Sequence, residues 1–340
     1  MEWYASALEL NVWTSSSVQS AQQDEQGNWT VVINKGTDNQ RTLHPKQVVM
    51  ATSLCGVPMT PNIPGMSSYK RGEIRHSTKH DSARDFVGKR VCVVGTSSSG
   101  FDTAFDCARR GIDVTLLQRS PTYIMSLTHS VPRIIGNYGP DSKGNRPDLE
   151  EQDRLFFATP QGPSEEMGRR NAKALEDLDR PLLDALHAKG LRTWRGQRGT
   201  GNIILGQTRN GGFYFDAGAC EHIINGNIKV EAGFIERFTE GKAILNGGRE
   251  REYDLIVFAT GFSNTIDSVR QTFGDKIADK CGPIWGVDEE GEFKTAYRET
   301  GVPNFWIMVG YLPYTRFHSK LMAMRLKALK EGISPPPYTK

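Results

Sequence analysis

Residues 90–104 read Arg90-Val91-Cys92-Val93-Val94-Gly95-Thr96-Ser97-Ser98-Ser99-Gly100-Phe101-Asp102-Thr103-Ala104, and this stretch decides the fold prediction for the chain. An apolar strand runs into a glycine turn, and small residues then allow a helix to begin at once. Such an arrangement directs the N–H groups of the helix N-terminus towards a phosphate. The pattern predicts a dinucleotide-binding strand–turn–helix unit with five cofactor-binding residues: Gly95, Thr96, Ser97, Ser98 and Gly100.

A second strand, over residues 111–117, ends in Gln118-Arg119-Ser120. NAD-specific folds place an acidic residue at the end of this strand, where it bonds the ribose hydroxyls. A basic residue there suits a 2′-phosphate, so we expect Gln118, Arg119 and Ser120 to bind NADPH in preference to NADH. An alternative stays open, because the dinucleotide-binding fingerprint is Gly-x-Gly-x-x-Gly and its second glycine is replaced here by Ser97. In that interpretation the turn holds no ligand, and Arg119 is a solvated charge at a strand end.

Composition restricts the class of protein. The chain has 340 residues, 37% of them hydrophobic, and a formal net charge of +3. This length allows two domains with substantial cores, and the interspersed charges argue against a nucleic-acid partner. Five scattered cysteines without CxxC spacing predict a reducing, cytoplasmic setting and no metal site. No apolar run approaches the ~18 residues of a membrane-spanning helix, so we expect no membrane span.

The segment before the glycine turn is predicted to contain a β-meander. We expect a short helix over residues 2–10, followed by strands over 10–17, 29–34 and 41–51. A proline-rich linker then runs to Gly65.

The segment after the second strand is predicted to be more irregular. Residues 121–210 are rich in Gly, Pro and charge, and we expect an insertion or cap with a helical stretch over 165–189. Strands over 213–216 and 228–230 are expected to resume the main sheet. A further apolar strand over 253–259 and a final amphipathic helix over 319–331 complete the prediction.

Several motifs, in chain order, resemble those of the class B flavin-containing monooxygenases, in particular fungal enzymes similar to the plant auxin-forming monooxygenases. They are Ala51-Thr52-Ser53, the signature Gly72-Glu73-Ile74-Arg75-His76-Ser77, the turn Gly95–Gly100, the strand end Gln118-Arg119-Ser120 and the strand that ends in Ala259-Thr260-Gly261. The resemblance covers nearly the whole chain. It implies an α/β fold in which a Rossmann-like NADPH-type domain adjoins the remnant of an FAD-type domain, made of the β-meander, the last strand and the C-terminal helix.

The resemblance implies three segments. Residues 1–65 are the FAD-type remnant with meander and linker, residues 66–235 are the NADP-type domain with the insertion 121–210, and residues 236–340 return to the FAD-type remnant. The family holds FAD with a βαβ unit placed before the meander, and these 340 residues lack that region. Ser53 also stands where the family pattern has glycine. We therefore expect no required cofactor, leave residual NADP binding open and do not expect FAD binding.

Four residues are candidates for catalysis in a cleft without flavin: Arg316, His318, Tyr214 and Asp216. Arg316 and His318 are expected just before the last helix, where the family's helix N-terminus approaches the flavin, and would supply hydrogen bonds or a proton. Tyr214 and Asp216 are second choices, because aromatic residues on a strand are more often core. All four could instead satisfy backbone groups at element ends. His76 has a structural role in the family's signature.

The sequence thus predicts a cofactor-independent enzyme, such as a cyclase, a pericyclase of the Diels–Alder type or an isomerase. Its expected substrate is a small hydrophobic intermediate of fungal secondary metabolism, and a homodimer stays open. One alternative is an NADPH- and FAD-dependent monooxygenase that acts as a fragment or with a partner chain. The other alternative is a non-catalytic pseudoenzyme.

Overall fold

The computed structural model describes residues 1–36 and 39–335. Parallel strands alternate with helices, so the fold is of the predicted α/β class. The described residues form two compact units. Unit 1 comprises the described parts of Met1–Val57, Asn264–Trp285 and Phe293–Lys340, and unit 2 comprises Pro58–Ser263 and Gly286–Glu292.

The strands of the described residues are, in chain order, β1 (Ser16–Gln23), β2 (Trp29–Lys35), β3 (Asn39–Leu43), β4 (Val48–Met50), β5 (Glu73–His76), β6 (Arg90–Val94), β7 (Asp113–Gln118), β8 (Tyr123–Ser126), β9 (Phe213–Asp216), β10 (Ile228–Ala232), β11 (Ile235–Phe238), β12 (Ala243–Leu245), β13 (Arg249–Arg251), β14 (Leu255–Phe258) and β15 (Phe305–Ile307).

The α-helices of the same residues are α1 (Glu2–Ala7), α2 (Ser98–Arg109), α3 (Leu127–Ile135), α4 (Leu149–Phe157), α5 (Gln161–Leu178), α6 (Arg180–Ala188), α7 (Asn202–Thr208), α8 (Ala219–Ile224), α9 (Thr265–Phe273), α10 (Asp275–Cys281) and α11 (Leu312–Glu331). Within residues 1–36 and 39–335, none of these helices has the length and apolar character needed to cross a membrane.

A five-stranded parallel sheet in the order β10-β7-β6-β14-β5 forms the centre of unit 2. Its central strand β6 is apolar because both faces of a parallel sheet are covered, and Val91, Cys92 and Val93 have no exposed surface. The strand order reverses between β6 and β14. In open parallel sheets, ligands bind at the carboxyl ends of the strands at such a switch point. The glycine turn follows β6 at that point.

Two hydrophobic clusters cover the faces of this sheet. On one face, the helices contribute Phe101 from α2, Leu186 from α6 and Ile223 from α8. On the other face, the antiparallel sheet β11-β12-β13 contributes Phe238 and Leu245. The sheet that carries the glycine turn is therefore packed from both sides.

Strands β8 and β9 form a separate two-stranded parallel sheet. The prediction that residues 213–216 resume the main sheet is therefore wrong, because β9 finds its partner in β8, across the helices α3 to α7. Tyr214 enters the core of the main sheet, whereas Phe213 and Phe215 pack against a smaller cluster with α5 and α7. Successive residues of a strand point to opposite faces, as expected for this segment.

Unit 1 contains the antiparallel meander β1-β2-β3 and a two-stranded parallel sheet of β4 and β15. Trp29 on β2 and Phe305 on β15 are buried together, with ring centroids 5.6 Å apart. The predicted meander is present, but its first strand lies at 16–23 and not at 10–17. The Asp24 carboxylate accepts the N–H groups of Gln26 and Asn28 in the turn that follows β1. The turn brings the residues just before Asp24 next to β2, so β1 extends to Gln23, which pairs with Trp29.

Proline placement explains two further differences from the predicted elements. The strand predicted over 41–51 is divided into β3 and β4, with Pro45, which has no N–H to donate, between them. The helical stretch predicted over 165–189 consists of α5 and α6, because Pro181 stands in the first turn of a new helix.

The last helix begins earlier than predicted. Pro313 stands in the first turn of α11, where its missing N–H costs no hydrogen bond. Arg316 and His318 consequently lie within the helix and not before it. Met322 is the buried residue of α11, whereas Met324 is 61% exposed.

The two units differ from the predicted segment boundaries at 65 and 235. The chain enters unit 2 at Pro58 and remains there to Ser263. Strand β14, expected with the FAD-type remnant, instead pairs with β6 on one side and β5 on the other. This placement of β14 depends on pairing with strands that are distant in sequence, so a local sequence pattern cannot predict it.

Ser53 follows β4 with a φ of +82°, in the left-handed region that glycine adopts without strain. A side chain in this region clashes with the backbone and costs about 1–2 kcal/mol. The residue thus adopts the conformation that suits the glycine of the family pattern.

Replacing Ser53 with glycine is expected to raise the free energy of unfolding by about 1 kcal/mol, because relief of the strain exceeds the added entropy of the unfolded chain. Urea or thermal unfolding measures the change. Thr52→Gly is the control, since Thr52 has no positive φ, and it is expected to destabilise the protein. A Ser53→Gly protein no more stable than the parent contradicts the inferred strain.

Candidate functional site

The glycine turn between β6 and α2 is closed by backbone contacts that leave no room for a side chain. A Cβ on Gly100 would lie 2.0 Å from the carbonyl oxygen of Gly95. A Cβ on Gly95 would lie 2.4 Å from the carbonyl oxygen of Ala259, and Gly95 also has a φ of +116°. These contacts place the N-terminus of α2 against the ends of β6 and β14.

The N-terminus of α2 presents backbone donors without acceptors. The Ser97 hydroxyl does not cap the helix, and the N–H groups of Gly100 and Phe101 are the first that bond to the turn, both to the Ser97 carbonyl. Within the part of the chain that the structure describes, the N–H groups of residues 96–99 donate to no acceptor. Together with the helix dipole, these four donors form a cradle for an anion.

The side chains of the turn contact the residue before β8 and the start of β9. The Thr122 hydroxyl donates to the carbonyl oxygen of Thr96 at 2.6 Å and lies 2.8 Å from the Thr96 hydroxyl oxygen. The Ser97 hydroxyl accepts the N–H of Gly212 at 3.1 Å, and the Ser98 hydroxyl lies 3.5 Å from the carbonyl oxygen of Phe213. Thr96, Ser97 and Ser98 thus use their side chains within the protein and offer a phosphate their backbone N–H groups.

The three residues at the end of β7 differ in whether their side chains are available to a ligand. Gln118 is fully buried, and its amide both donates to and accepts from the backbone of Arg192, at 2.9 and 2.8 Å. Gln118 therefore fastens β7 to the segment before α7. Arg119 and Ser120 are exposed. In residues 1–36 and 39–335, no carboxylate lies within ion-pair distance of the Arg119 guanidinium.

Sequence reasoning missed Arg209, which follows α7 and also lies close to the turn. A Cβ on Gly212 would lie 2.4 Å from a guanidinium nitrogen of Arg209, so the guanidinium packs on that glycine. Gly212 in turn bonds to Ser97. No described carboxylate forms an ion pair with Arg209. The local signal is the run Arg209-Asn210-Gly211-Gly212, a cation shortly before two glycines. Its place beside the turn is not evident from the sequence, because 115 residues separate Gly212 from Ser97.

Tyr214 and Asp216, the second-choice catalytic candidates, bond to the backbone of unit 2. Tyr214 is 2% exposed and stacks on Phe101, with ring centroids 4.3 Å apart. Its hydroxyl accepts the N–H of Ala217, and burial raises the pKa of Tyr214 to about 12. The Asp216 carboxylate accepts the N–H of Gly218 and another from the first turn of α8. These contacts match the alternative in which both residues satisfy backbone groups at element ends.

Arg316 and His318 lie on α11 in unit 1. The His318 ring stacks on Tyr297, with centroids 5.0 Å apart, and lies nearly parallel to Tyr314 at 6.0 Å. Burial lowers the pKa of His318, so its imidazole is neutral at pH 7. Arg316 is exposed on the same helix. Tyr214 and Asp216 belong to unit 2, and a catalytic role for any of the four stays a prediction.

His76 connects two of the sequence motifs. It is 7% exposed, and its Nδ1 accepts the N–H of Thr78 at 3.2 Å. The proton is therefore on Nε2, which donates to the carbonyl oxygen of Gly261 at 3.1 Å. The imidazole thereby holds the 72–77 signature against the end of β14, which gives His76 a structural role.

An open groove of about 770 Å³ lies at the amino ends of β6, β7 and β10. Its rim consists of charged pairs, such as Lys229 with Asp113 at 2.7 Å and Arg90 with Glu252 at 3.0 Å. Ligands of parallel sheets bind at the carboxyl ends of the strands, and these rim charges already neutralise one another. We therefore place the candidate site at the glycine turn and not in this groove.

The described residues fit one dinucleotide better than two. Among them, β6, the glycine turn and α2 form a strand–glycine-turn–helix unit in unit 2, and unit 1 contains no second unit of this kind. The phosphates of NADP fit the free N–H groups of that turn. The described residues do not supply an equivalent cradle for the pyrophosphate of FAD. They also contain no group of three or more side chains that could hold a metal ion.

Sequence comparisons show similarity to monooxygenases. A family model described as pyridine nucleotide-disulphide oxidoreductase matches residues 1–133. An indole-3-pyruvate monooxygenase of rice (Oryza sativa subsp. japonica) is 27% identical over 281 residues, covering 81% of this chain and 60% of the relative. A Baeyer-Villiger monooxygenase of Streptomyces coelicolor is 26% identical over 317 residues, covering 89% of this chain and 56% of the relative. The chain thus spans less than two thirds of either relative.

Solved structures share the fold at lower identity. A structure of OTEMO in complex with FAD and NADP has a TM-score of 0.61 at 17% identity, and it covers 97% of this chain and 70% of its own. Oxidized steroid monooxygenase bound to NADP has the same TM-score at 21% identity, with the same coverage.

These findings correct the functional expectation. The prediction that no cofactor is required and that FAD is not bound is contradicted, because the similar structures include complexes with FAD and NADP. The relatives favour the monooxygenase alternative, and a cyclase or a role in secondary metabolism receives no support from them. The predicted resemblance is confirmed: the chain is similar in sequence to monooxygenases, and it shares its fold with solved monooxygenase structures.

Proposed function

We propose that this chain forms the NADPH-binding part of an NADPH- and FAD-dependent monooxygenase. The observation that carries the proposal is the cradle of free N–H groups at residues 96–99, in the same domain as the unpaired Arg119. Dinucleotide phosphates accept hydrogen bonds from such a cradle, and a guanidinium at the end of the second strand complements a 2′-phosphate. Relatives named as monooxygenases support the reaction class.

The proposed reaction uses two dinucleotides, whereas the described residues provide one cradle. We infer that the pyrophosphate of FAD is held by polypeptide outside these 340 residues, either continuous with this chain or in a partner subunit. Coverage of 60% and 56% of the two relatives supports this inference. Gly95 to Gly100 and Arg119 then bind and orient NADPH, which supplies the two electrons of the reaction.

The proposed substrate class is a carbonyl compound. Indole-3-pyruvate is a 2-oxo acid, and a Baeyer-Villiger oxidation inserts oxygen next to a ketone carbonyl, so the names of both relatives imply this group. Arg316 and the neutral His318 are our candidates for contact with such a carbonyl, because a guanidinium donates hydrogen bonds and a neutral imidazole can either donate or accept one.

Replacing Arg119 with alanine is expected to weaken NADP⁺ binding about tenfold to hundredfold, because one or two charge-assisted hydrogen bonds, each about 1.5–3 kcal/mol, are lost. The affinity for NAD⁺ should stay within about twofold, since NAD⁺ has no 2′-phosphate. Isothermal titration with both nucleotides measures the two constants.

Arg170→Ala is the matched control, because Arg170 is an exposed arginine on α5 that pairs only with Glu166 among the described residues. It should bind NADP⁺ as the parent does. Equal affinity of the parent and Arg119→Ala for NADP⁺ would show that Arg119 is not the 2′-phosphate ligand. Absence of NADP⁺ binding by the parent protein contradicts the proposed site as a whole.

The redox part of the proposal is tested on the protein isolated from its own cells, together with any polypeptide attached to it. We expect a flavin absorbance spectrum that NADPH bleaches without oxygen and that air restores. Arg119→Ala should retain the flavin content and require a higher NADPH concentration for the same bleaching rate. A protein that binds NADP⁺ but carries no flavin in any isolated form contradicts the monooxygenase assignment and leaves the nucleotide site intact.

A further inference from the structure

Ser97 occupies the second position of the fingerprint, where glycine normally allows the backbone to approach a pyrophosphate. Its φ and ψ of −106° and −175° are extended values that any residue adopts. The side chain is directed to the segment before β9, where its hydroxyl accepts the N–H of Gly212 at 3.1 Å and lies 3.4 Å from the carbonyl oxygen of Phe213. The Ser97 side chain is therefore engaged with that segment and not with the α2 amides.

Two consecutive glycines lie beside this serine. A Cβ on Gly211 would lie 3.4 Å from the Ser97 hydroxyl oxygen, an ordinary van der Waals contact. Gly212 has a φ of +83°, which a residue with a side chain rarely adopts. The segment 209–213 thus has a backbone that fits against Ser97, and the hydrogen bond from Gly212 fixes its distance from the turn.

Arg209 belongs to this fixed segment. Its guanidinium packs on Gly212, the residue that bonds to Ser97, and has no ion-pair partner among the described residues. The exposed Arg209 guanidinium lies beside Gly212, which bonds to Ser97 at the N-terminus of α2, and the positive end of the helix dipole disfavours a cation there. An anion in the cradle reverses this repulsion, because it binds both the N–H groups and the guanidinium.

We propose that Ser97 is a positioning residue that holds Arg209 against a phosphate of NADP(H) in the cradle of α2. This inference rests on the proposed function, because it needs a dinucleotide at the turn. The serine that replaces a fingerprint glycine thereby joins a second cation, 112 residues away in sequence, to the phosphate site. Arg209 is the phosphate ligand, and Ser97 acts through the Gly212 hydrogen bond.

A double-mutant cycle tests the coupling between the two residues. We expect Arg209→Ala to weaken NADP⁺ binding about tenfold or more, since a charge-assisted contact is lost, and Ser97→Ala to weaken it about threefold to tenfold. The double variant should bind NADP⁺ no more weakly than Arg209→Ala alone, because Ser97 has no effect once its target is removed. Ser97→Thr keeps the hydroxyl and should retain the parent affinity within about twofold.

Two controls separate positioning from a structural effect. Unfolding of each variant is measured in parallel, since a merely structural Ser97 would lower stability without coupling to Arg209. In the second control, Ser97→Ala is combined with Arg119→Ala. Because Arg119 follows β7 and is independent of Ser97, the losses of NADP⁺ affinity caused by the two substitutions should multiply. Titration with NAD⁺ tests which phosphate Arg209 contacts. An equal loss of affinity for NAD⁺ and NADP⁺ supports contact with the pyrophosphate in the cradle, whereas a loss confined to NADP⁺ overturns the inference, because the 2′-phosphate is assigned to Arg119.

Losses that multiply in the Ser97–Arg209 double variant overturn the inference, as does a Ser97→Ala protein that binds NADP⁺ like the parent. Both results leave the proposed function intact. A parent protein that does not bind NADP⁺ overturns the proposed nucleotide site itself, so the two failures are distinguishable.

Discussion

The close packing of Gly100 on Gly95, and of Gly95 on Ala259, is the contact on which the arrangement of unit 2 depends. At these distances a single methyl group would force α2 away from the ends of β6 and β14, and overpacking of this kind costs about 1–3 kcal/mol. Because the backbones touch, the first turn of α2 is fixed at the switch point of the sheet. The free N–H groups of residues 96–99 follow from this constraint, since the tightly closed turn offers them no acceptor among the residues that the structure describes.

Hydrogen bonds then attach the segment between β7 and β10 to this turn. Thr122 bonds to Thr96, Ser97 to Gly212, and Gln118 to the backbone of Arg192. These contacts attach the segments that flank β8 and β9 to the proposed nucleotide site. They also explain why Gln118, predicted to bind the cofactor, is fully buried and bonded to the protein, whereas Arg119 next to it remains exposed.

The sequence predicted the features that depend on local residues. The strand Arg90–Val94, the glycine turn and the helix after it are encoded by apolar, glycine and small residues in immediate succession, and all three are present. The φ of Ser53 agrees with the glycine of the family pattern. The departures arise where distant residues pair: β9 joins β8 instead of the main sheet, and β14 lies in unit 2. Arg209 was missed for the same reason, because only the fold brings it to Ser97.

The cofactor prediction failed for a different reason. It took the absence of one βαβ unit from these 340 residues to mean that the protein does not use FAD. The relatives are monooxygenases, and this chain spans only 60% and 56% of their lengths. The residues that remain in the turn are those that a bound NADP(H) needs: glycines that allow close approach, free N–H groups and an unpaired arginine. Whether these N–H groups form hydrogen bonds when NADP(H) is added therefore distinguishes a nucleotide-binding turn from a turn that has lost its ligand.

Hydrogen exchange at the backbone amides of Thr96, Ser97, Ser98 and Ser99 measures most directly whether the cradle binds a phosphate. These amides have no acceptor among the described residues, so they should exchange rapidly in the free protein. With saturating NADP⁺ they should exchange markedly more slowly, while the amides of the meander β1-β2-β3 in unit 1 stay unchanged. Exchange at residues 96–99 that is equally fast with and without bound NADP⁺ would contradict the phosphate cradle and the function proposed from it.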